Sequence, residues 1–210
     1  MSVVAEQFES AERQRQAAEL GMWVFLATEI MFFAPLFLGY AYGRWALSDS
    51  FAAASRHTDV VIGTVNTAIL LTSSLMMALA VRAAKLQQRR TLVRFLILTA
   101  AFGVLFLALK GLEYRDEWQE HLVPWLDFSF ESSHRAGAAL FYFLYFGMTG
   151  LHAIHLSIGV TMVCVFAVRA SRQDIAPMRN QIEIGALYWH FVDSIWVFLY
   201  PMIYLVERHG

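Results

Sequence analysis

Five long apolar runs, separated by short polar segments, make up most of the 210 residues of the chain. Each run can form a helix of roughly 20 residues, the length that crosses a hydrocarbon core of about 30 Å. We therefore predict an all-α fold, a polytopic membrane helix bundle with one membrane domain over residues 20–206 and a polar N-terminal segment over residues 1–19. The five predicted transmembrane helices cover about residues 20–45, 60–84, 92–113, 136–168 and 182–206.

The composition agrees with residence in lipid. Hydrophobic residues make up 58% of the chain and charged residues only 16%, whereas soluble domains carry about 25% charged residues. The net charge of −1 and the lack of an extended basic surface argue against nucleic-acid binding. The single cysteine, Cys164, excludes an internal disulfide and a CxxC site, and we interpret it as a small buried apolar residue.

Lysine and arginine residues are distributed unevenly between the two ends of the predicted helices. The segment between the second and third runs carries basic residues and no acid: Arg82, Lys85, Arg89, Arg90 and Arg94. The positive-inside rule predicts that this segment is cytoplasmic, which places the N-terminus in the cytoplasm and the C-terminus outside. The same alternation puts Arg169, Arg172 and Arg179 on the cytoplasmic side, where they are candidate contacts of lipid head groups.

Ionisable residues inside the apolar runs are the main functional candidates, because a charge in lipid costs about 2.5–3.5 kcal/mol or more. At ~1.5 Å of helix rise per residue, five such residues lie within the membrane, most of them near mid-depth. They are Glu29, His152, His155, His190 and Asp193. His152 and His155 share one helical face, and so do His190 and Asp193.

Two further expectations concern the partners of charged residues. An isolated charge is unfavourable in lipid, so we expect Glu29 to be protonated and hydrogen-bonded to a neighbouring helix. Lys110 and Glu113 are three residues apart at the outer mouth of the third run, and this spacing predicts an ion pair.

Glycines and aromatic residues predict close packing between helices. The segment "GMTGLHAIHLSIG" places Gly147, Gly150 and Gly159 on the fourth run, where small residues let helix backbones approach. Trp189 and Trp196 follow helical spacing on the fifth run, and we interpret them as packing residues rather than as a cofactor site.

Three interpretations of the intramembrane polar residues remain open at this point. His152, His155 and His190, with Glu29 or Asp193, have the side chains of a metal or haem site. Bundle metal sites typically use Glu-x-x-His pairs, however, and that pattern is absent. A proton or ion path is the second interpretation, although the chain lacks the internal repeats of transporters. The third is a set of hydrogen-bonded residues that hold the helices together, or that face lipid head groups or a partner subunit.

Four segments together resemble the cytochrome c oxidase subunit III family of haem-copper oxidases. "GMWVFLATEIMFF" resembles the family's first core span with its buried Glu29, and "KGLEYRDEWQEHL" resembles the end of a later span with Glu113. "GLHAIHLSIG" matches the family pattern G-x-H-x-x-H-x-x-x-G. "EIGALYWHFVDSIWVFLY" resembles the most distinctive family segment, with Glu183, Tyr188, Trp189, His190, Phe191, Asp193 and Trp196. The similarity extends from about Leu20 to Tyr204.

The resemblance implies a non-catalytic subunit of a respiratory, proton-translocating oxidase in the bacterial plasma (inner) membrane. Longer members have seven spans, so this chain is similar to the short five-helix bacterial type. Family members bind no haem or copper of their own and contact subunit I and subunit II, which hold those cofactors. They bind phospholipid in a cleft, support proton uptake by subunit I and protect that subunit from inactivation.

The resemblance also implies roles for individual residues. It implies no catalytic residue and no metal ligand in this chain. It assigns seven residues to lipid contact or to a structural polar core: Glu29, His152, His155, Glu183, His190, Asp193 and Trp196. The related alternative is the NorE-type accessory protein of nitric oxide reductase. The alternative from another class is an intramembrane metal enzyme or an ion or proton transporter that uses Glu29, His152, His155 and His190.

Overall fold

The computed structural model describes residues 10–126 and 128–205. Its six α-helices are α1 (Ala11–Ala46), α2 (Ser48–His57), α3 (Val60–Lys85), α4 (Arg89–Gln119), α5 (Arg135–Arg172) and α6 (Arg179–Tyr204). A short 3-10 helix, Ala176–Met178, leads into α6. All of these α-helices except α2 are long and apolar enough to cross a membrane, which confirms the predicted all-α bundle and its five spans.

The helices are longer than the apolar runs that predicted them. α1 begins at Ala11, inside the segment predicted to be a polar N-terminal region, and α4 continues beyond residue 113 to Gln119. Ser10 accepts a hydrogen bond from the backbone N–H of Arg13 and so caps the start of α1. Backbone hydrogen bonding extends a helix into polar surroundings, where apolarity no longer marks it. Residues 1–9 of the N-terminal segment, and the predicted end of the fifth run at residue 206, lie outside the described residues.

The ten-residue helix α2 was missed in the sequence, because it is too short and too polar to read as a span. It buries one face against α5, and the ring of Phe51 lies edge-on to Tyr40 and Phe141, with centroids 5.4 and 5.5 Å away. Oγ of Ser55 donates to the carbonyl oxygen of Ile203 at 2.8 Å. We call the α3–α4 turn, with its basic residues, the basic end of the bundle; α2 covers the opposite end.

Helices α3, α4, α5 and α6 form a closed ring of neighbours, and α1 packs on the outside against α5 and α6. Much of α1 is therefore exposed, including Trp23, Met31 and Trp45. Cys164 on α5 is also exposed, so its interpretation as a buried residue was wrong. Lipid-facing and core-facing positions of a membrane helix are both apolar, and apolarity alone therefore cannot distinguish them.

Trp189 of α6 fills a notch between two glycines on neighbouring helices. A Cβ atom added at Gly103 of α4 would lie 2.9 Å from the Trp189 ring, and one added at Gly159 of α5 would lie 3.1 Å from it. Gly159 therefore has the predicted packing role. A Cβ atom added at Gly147 would have no such neighbour within 4 Å, and one added at Gly150 would lie 3.8 Å from a tyrosine hydroxyl. Neither glycine therefore lies in a tight helix contact.

Candidate functional site

Glu29 of α1 and His155 of α5 form a hydrogen-bonded pair within the membrane domain. Nε2 of His155 lies 3.0 Å from Oε2 of Glu29, and Nδ1 of the same ring lies 2.8 Å from the carbonyl oxygen of Leu151. Both side chains are mostly buried. The pair confirms the expectation that Glu29 is hydrogen-bonded to a neighbouring helix.

The hydrogen bonds determine how many protons the Glu29–His155 pair shares. A carbonyl oxygen only accepts, so Nδ1 of His155 carries a hydrogen. If the ring is neutral, Nε2 accepts a hydrogen bond and the carboxylic acid of Glu29 donates it; if the ring is charged, Nε2 donates to a carboxylate. In both cases one proton lies between the two side chains and the pair has no net charge, which avoids an isolated charge in lipid.

We expect the neutral form of the Glu29–His155 pair, because separated charges are costly away from water. Glu29→Gln should then remove a protonated-carboxyl band from the infrared spectrum at neutral pH. Glu183→Gln is the matched control, since Glu183 already faces Lys85 and Arg179 and should contribute only carboxylate bands. Loss of carboxylate bands alone in Glu29→Gln would show that the pair is ionic.

A second polar cluster surrounds Lys110 of α4, toward the end opposite the basic end. Nζ of Lys110 lies 2.8 Å from the Tyr145 hydroxyl, 2.6 Å from the Tyr204 hydroxyl and 3.1 Å from Oε2 of Glu113. Both hydroxyls donate to Oε1 of Glu113, at 2.9 and 2.5 Å. The predicted Lys110–Glu113 pair is confirmed. Its side chains are only 3% and 4% exposed, so it lies inside the bundle and not at an open mouth.

Glu117 belongs to the same region, and sequence reasoning missed it. Lys110, Glu113 and Glu117 follow the spacing i, i+3, i+7, which puts them on one face of α4 and was the available signal. Glu117 is only 7% exposed and makes no hydrogen bond of normal geometry to any described residue. The face therefore carries one ammonium group and two carboxyl groups, all buried among tyrosines.

His152 of α5 lies among aromatic rings instead of polar groups. Its ring centroid lies 5.5 Å from that of Phe106 and 5.2 Å from that of Trp196. Nε1 of Trp196 donates to Oγ1 of Thr67 at 3.0 Å and so joins α6 to α3. Neither ring nitrogen of His152 makes a hydrogen bond to the part of the chain that the structure describes.

The polar residues of the distinctive α6 segment face different helices: Tyr188 donates to the carbonyl oxygen of His155 on α5 at 2.9 Å, whereas His190 faces α3. Nδ1 of His190 lies 2.7 Å from Oγ of Ser74, while Asp193 is 4% exposed and makes no hydrogen bond of normal geometry within the described ranges. His152, His155 and His190 therefore have separate neighbours, and the residues of the metal-site interpretation are not brought together. Across residues 10–126 and 128–205, no group of three or more His, Cys, Asp or Glu side chains is placed to hold a metal.

A groove of about 410 Å³ opens between α1 and α3 near the basic end, with α6 as its floor. We call it the α1–α3 groove. Its polar lining comes from Glu19, Lys85, Glu183 and His190, and its apolar lining includes Trp23. Nζ of Lys85 lies 3.7 Å from Oε1 of Glu183. The groove thus combines apolar walls with a rim that carries both signs of charge.

The three arginines predicted to contact head groups lie at the basic end, where Arg172 and Arg179 are exposed and Arg169 is partly buried. Arg179 donates to Glu183 at 3.1 Å and so adjoins the α1–α3 groove, whereas Arg169 donates to Oε1 of Gln181 at 3.0 Å. Arg172 lies at the end of α5. Only Arg179 is therefore connected to the groove by a direct contact.

Comparisons with known proteins identify relatives along nearly the whole chain. The family model described as cytochrome c oxidase subunit III matches residues 6–207. Cytochrome c oxidase subunit 3 of Alkalihalophilus pseudofirmus is 32% identical over 193 residues, covering 91% of this chain and 87% of that protein. The protein of the same name from Thermostichus vulcanus is 28% identical over 191 residues, covering 90% and 87%. The haem-copper oxidase subunit I+III of Aeropyrum pernix is 28% identical over 193 residues, covering 88% of this chain and 22% of that protein.

Proposed function

The chain belongs to the cytochrome c oxidase subunit III family, and from this premise we propose that it supports the catalytic subunit of a respiratory haem-copper oxidase. In this proposal it stabilises subunit I and assists its proton uptake, and it binds no haem or copper itself. The observation that carries the proposal is the family match over residues 6–207, which includes every described helix. The subunit I+III name of the Aeropyrum pernix relative supports contact with subunit I.

We propose that the complex lies in a bacterial inner membrane, with subunit II as a further neighbour. The basic end faces the cytoplasm in this arrangement, because Arg82, Lys85, Arg89 and Arg90 gather there. The N-terminus is then cytoplasmic and the C-terminus is outside. The bacterial origin of the Alkalihalophilus pseudofirmus relative supports this location.

We also propose that the α1–α3 groove holds a phospholipid. Lys85 suits the phosphate of a head group, while Glu19 and Glu183 suit an ammonium group, so the rim fits a zwitterionic lipid. The apolar wall beside Trp23 would face the acyl chains. Arg169, Arg172 and Arg179 lie at the same end and would contact neighbouring head groups.

The test of the proposed function compares the oxidase purified with and without this chain. We expect the haem spectrum to be nearly unchanged, because the chain contributes no haem ligand in this proposal. In the complex without the chain, oxygen consumption followed to exhaustion should start at a lower rate, because proton uptake is slower, or should decline sooner over successive turnovers. Identical initial rates and lifetimes would reject the supporting role, and a shifted haem spectrum would reopen the metal-site interpretation.

The same purification identifies the partner enzyme. Affinity capture of the chain from its native membrane should recover an oxygen-reducing haem-copper oxidase. Recovery of a nitric oxide reductase instead would favour the NorE-type alternative.

A further inference from the structure

The turn between α3 and α4 forms a second groove, which uses a different face of α3 from the α1–α3 groove. This α3–α4 groove has a volume of about 250 Å³. α3 lines it with Leu79 and Arg82, the turn lines it with Leu86, and α4 lines it with Thr91 and Phe95. The spacings of three and four residues place each set on one side of its helix, so the groove follows the seam between the two helices.

The α3–α4 groove changes from apolar to cationic along its length. Phe95 lies ~9 Å into α4 from its first residue, at 1.5 Å of rise per residue, and Leu79 lies at a similar distance along α3 from the turn. Arg82 and Thr91 lie nearer the turn and the membrane surface. This order of side chains matches a lipid, with an acyl chain at the deep end and a charged head group at the rim.

The charge around the α3–α4 groove is positive and unbalanced. Lys85 turns toward Glu183, and Arg89 donates to the carbonyl oxygens of Ala170 and Ser171. The remaining basic residues are exposed, and none forms an ion pair within the described residues: Arg82, Arg90 and Arg94. No acid occurs between residues 82 and 94. The mixed rim of the α1–α3 groove suits a zwitterion, whereas this purely cationic rim suits an anion.

We propose that the α3–α4 groove binds an anionic phospholipid of the surrounding membrane. The lipid phosphate contacts Arg82, one acyl chain lies along Leu79 and Phe95, and Arg90 and Arg94 supply the surrounding positive field. The occupant is a membrane lipid and not a free anion, because the deep half of the groove offers only apolar contacts to Leu79 and Phe95. This site does not depend on the phospholipid proposed for the α1–α3 groove.

Native mass spectrometry of the purified full-length chain, titrated with dioleoyl phosphatidylglycerol or phosphatidylcholine, tests the site. Arg82→Gln should bind phosphatidylglycerol about fivefold more weakly than the wild type, the effect of one cation near an anionic head group. Its affinity for phosphatidylcholine should not change. Arg56→Gln is the matched control, because it removes the same charge from an exposed position of α2 at the opposite end.

Two further measurements distinguish the contribution of the acyl chain to binding from that of the phosphate. Leu79→Trp fills the apolar end without changing the charge and should also weaken phosphatidylglycerol binding. Excess inorganic phosphate should leave the bound lipid in place. The proposal is overturned if Arg82→Gln binds phosphatidylglycerol like the wild type, or if that variant loses affinity for phosphatidylglycerol and phosphatidylcholine equally. It is also overturned if Leu79→Trp binds phosphatidylglycerol like the wild type, or if inorganic phosphate alone displaces the lipid.

Discussion

Lys110→Met is expected to destabilise the membrane domain by about 3–5 kcal/mol, because it removes one partner of a buried ion pair. Methionine has a similar length and an apolar tip, so the change removes the ammonium group with little change in shape. Glu113 then keeps its buried charge without a counter-ion, and the hydroxyls of Tyr145 and Tyr204 lose the donor that lies within 2.8 Å of each. Desolvation of the remaining carboxylate supplies most of the loss.

The measurement is the free energy of unfolding of the purified chain in mixed micelles, titrated with sodium dodecyl sulfate. Lys85→Met is the control, because Lys85 is half exposed and lies 3.7 Å from Glu183; pairs of this kind contribute about 0–1 kcal/mol. The double variant Lys110→Met/Glu113→Gln should recover part of the lost stability, since no uncompensated charge remains. Equal stability of Lys110→Met and Lys85→Met would contradict the role given to the buried cluster.

Trp189→Ala should destabilise the same domain by about 3 kcal/mol, near the lower end of the range for large core side chains. The Trp189 side chain is fully buried and fits between Gly103 and Gly159, so its removal leaves a cavity that joins three helices. Water does not drive helix association within lipid, and the loss therefore comes mainly from van der Waals contacts that no longer form.

Trp23→Ala provides the comparison for Trp189→Ala in the same unfolding experiment. Trp23 is 60% exposed on α1, so its truncation removes few contacts within the chain and should change the unfolding free energy by less than about 1 kcal/mol. If Trp189→Ala lowers the unfolding free energy no more than Trp23→Ala does, the helices close the space that the ring occupied between Gly103 and Gly159.

Local spacing along the chain predicted part of the candidate site. Lys110 and Glu113 lie on adjacent turns of one helix, so their pairing followed from the sequence. The same helical spacing, extended to Glu117, would have revealed the third charged residue. The bond between Glu29 and His155 joins residues that are distant in the chain. The sequence indicated that each needed a partner but could not say which, because the partner depends on how α1 lies against α5.

The sequence by itself determined that the chain is a bundle with five helices able to cross a membrane. Unbroken apolar runs of sufficient length permit few other structures, since lipid cannot satisfy the backbone hydrogen bonds of irregular segments. It did not reveal α2, because that helix forms by burying Phe51 and Ser55 against a surface that exists only after the long helices pack. The tertiary structure also decided which apolar faces meet one another and which meet lipid, and hence separated His152, His155 and His190 into three environments. These outcomes depend on the fit of side chains such as Trp189 against glycines on other helices, and an apolar run contains no information about that fit.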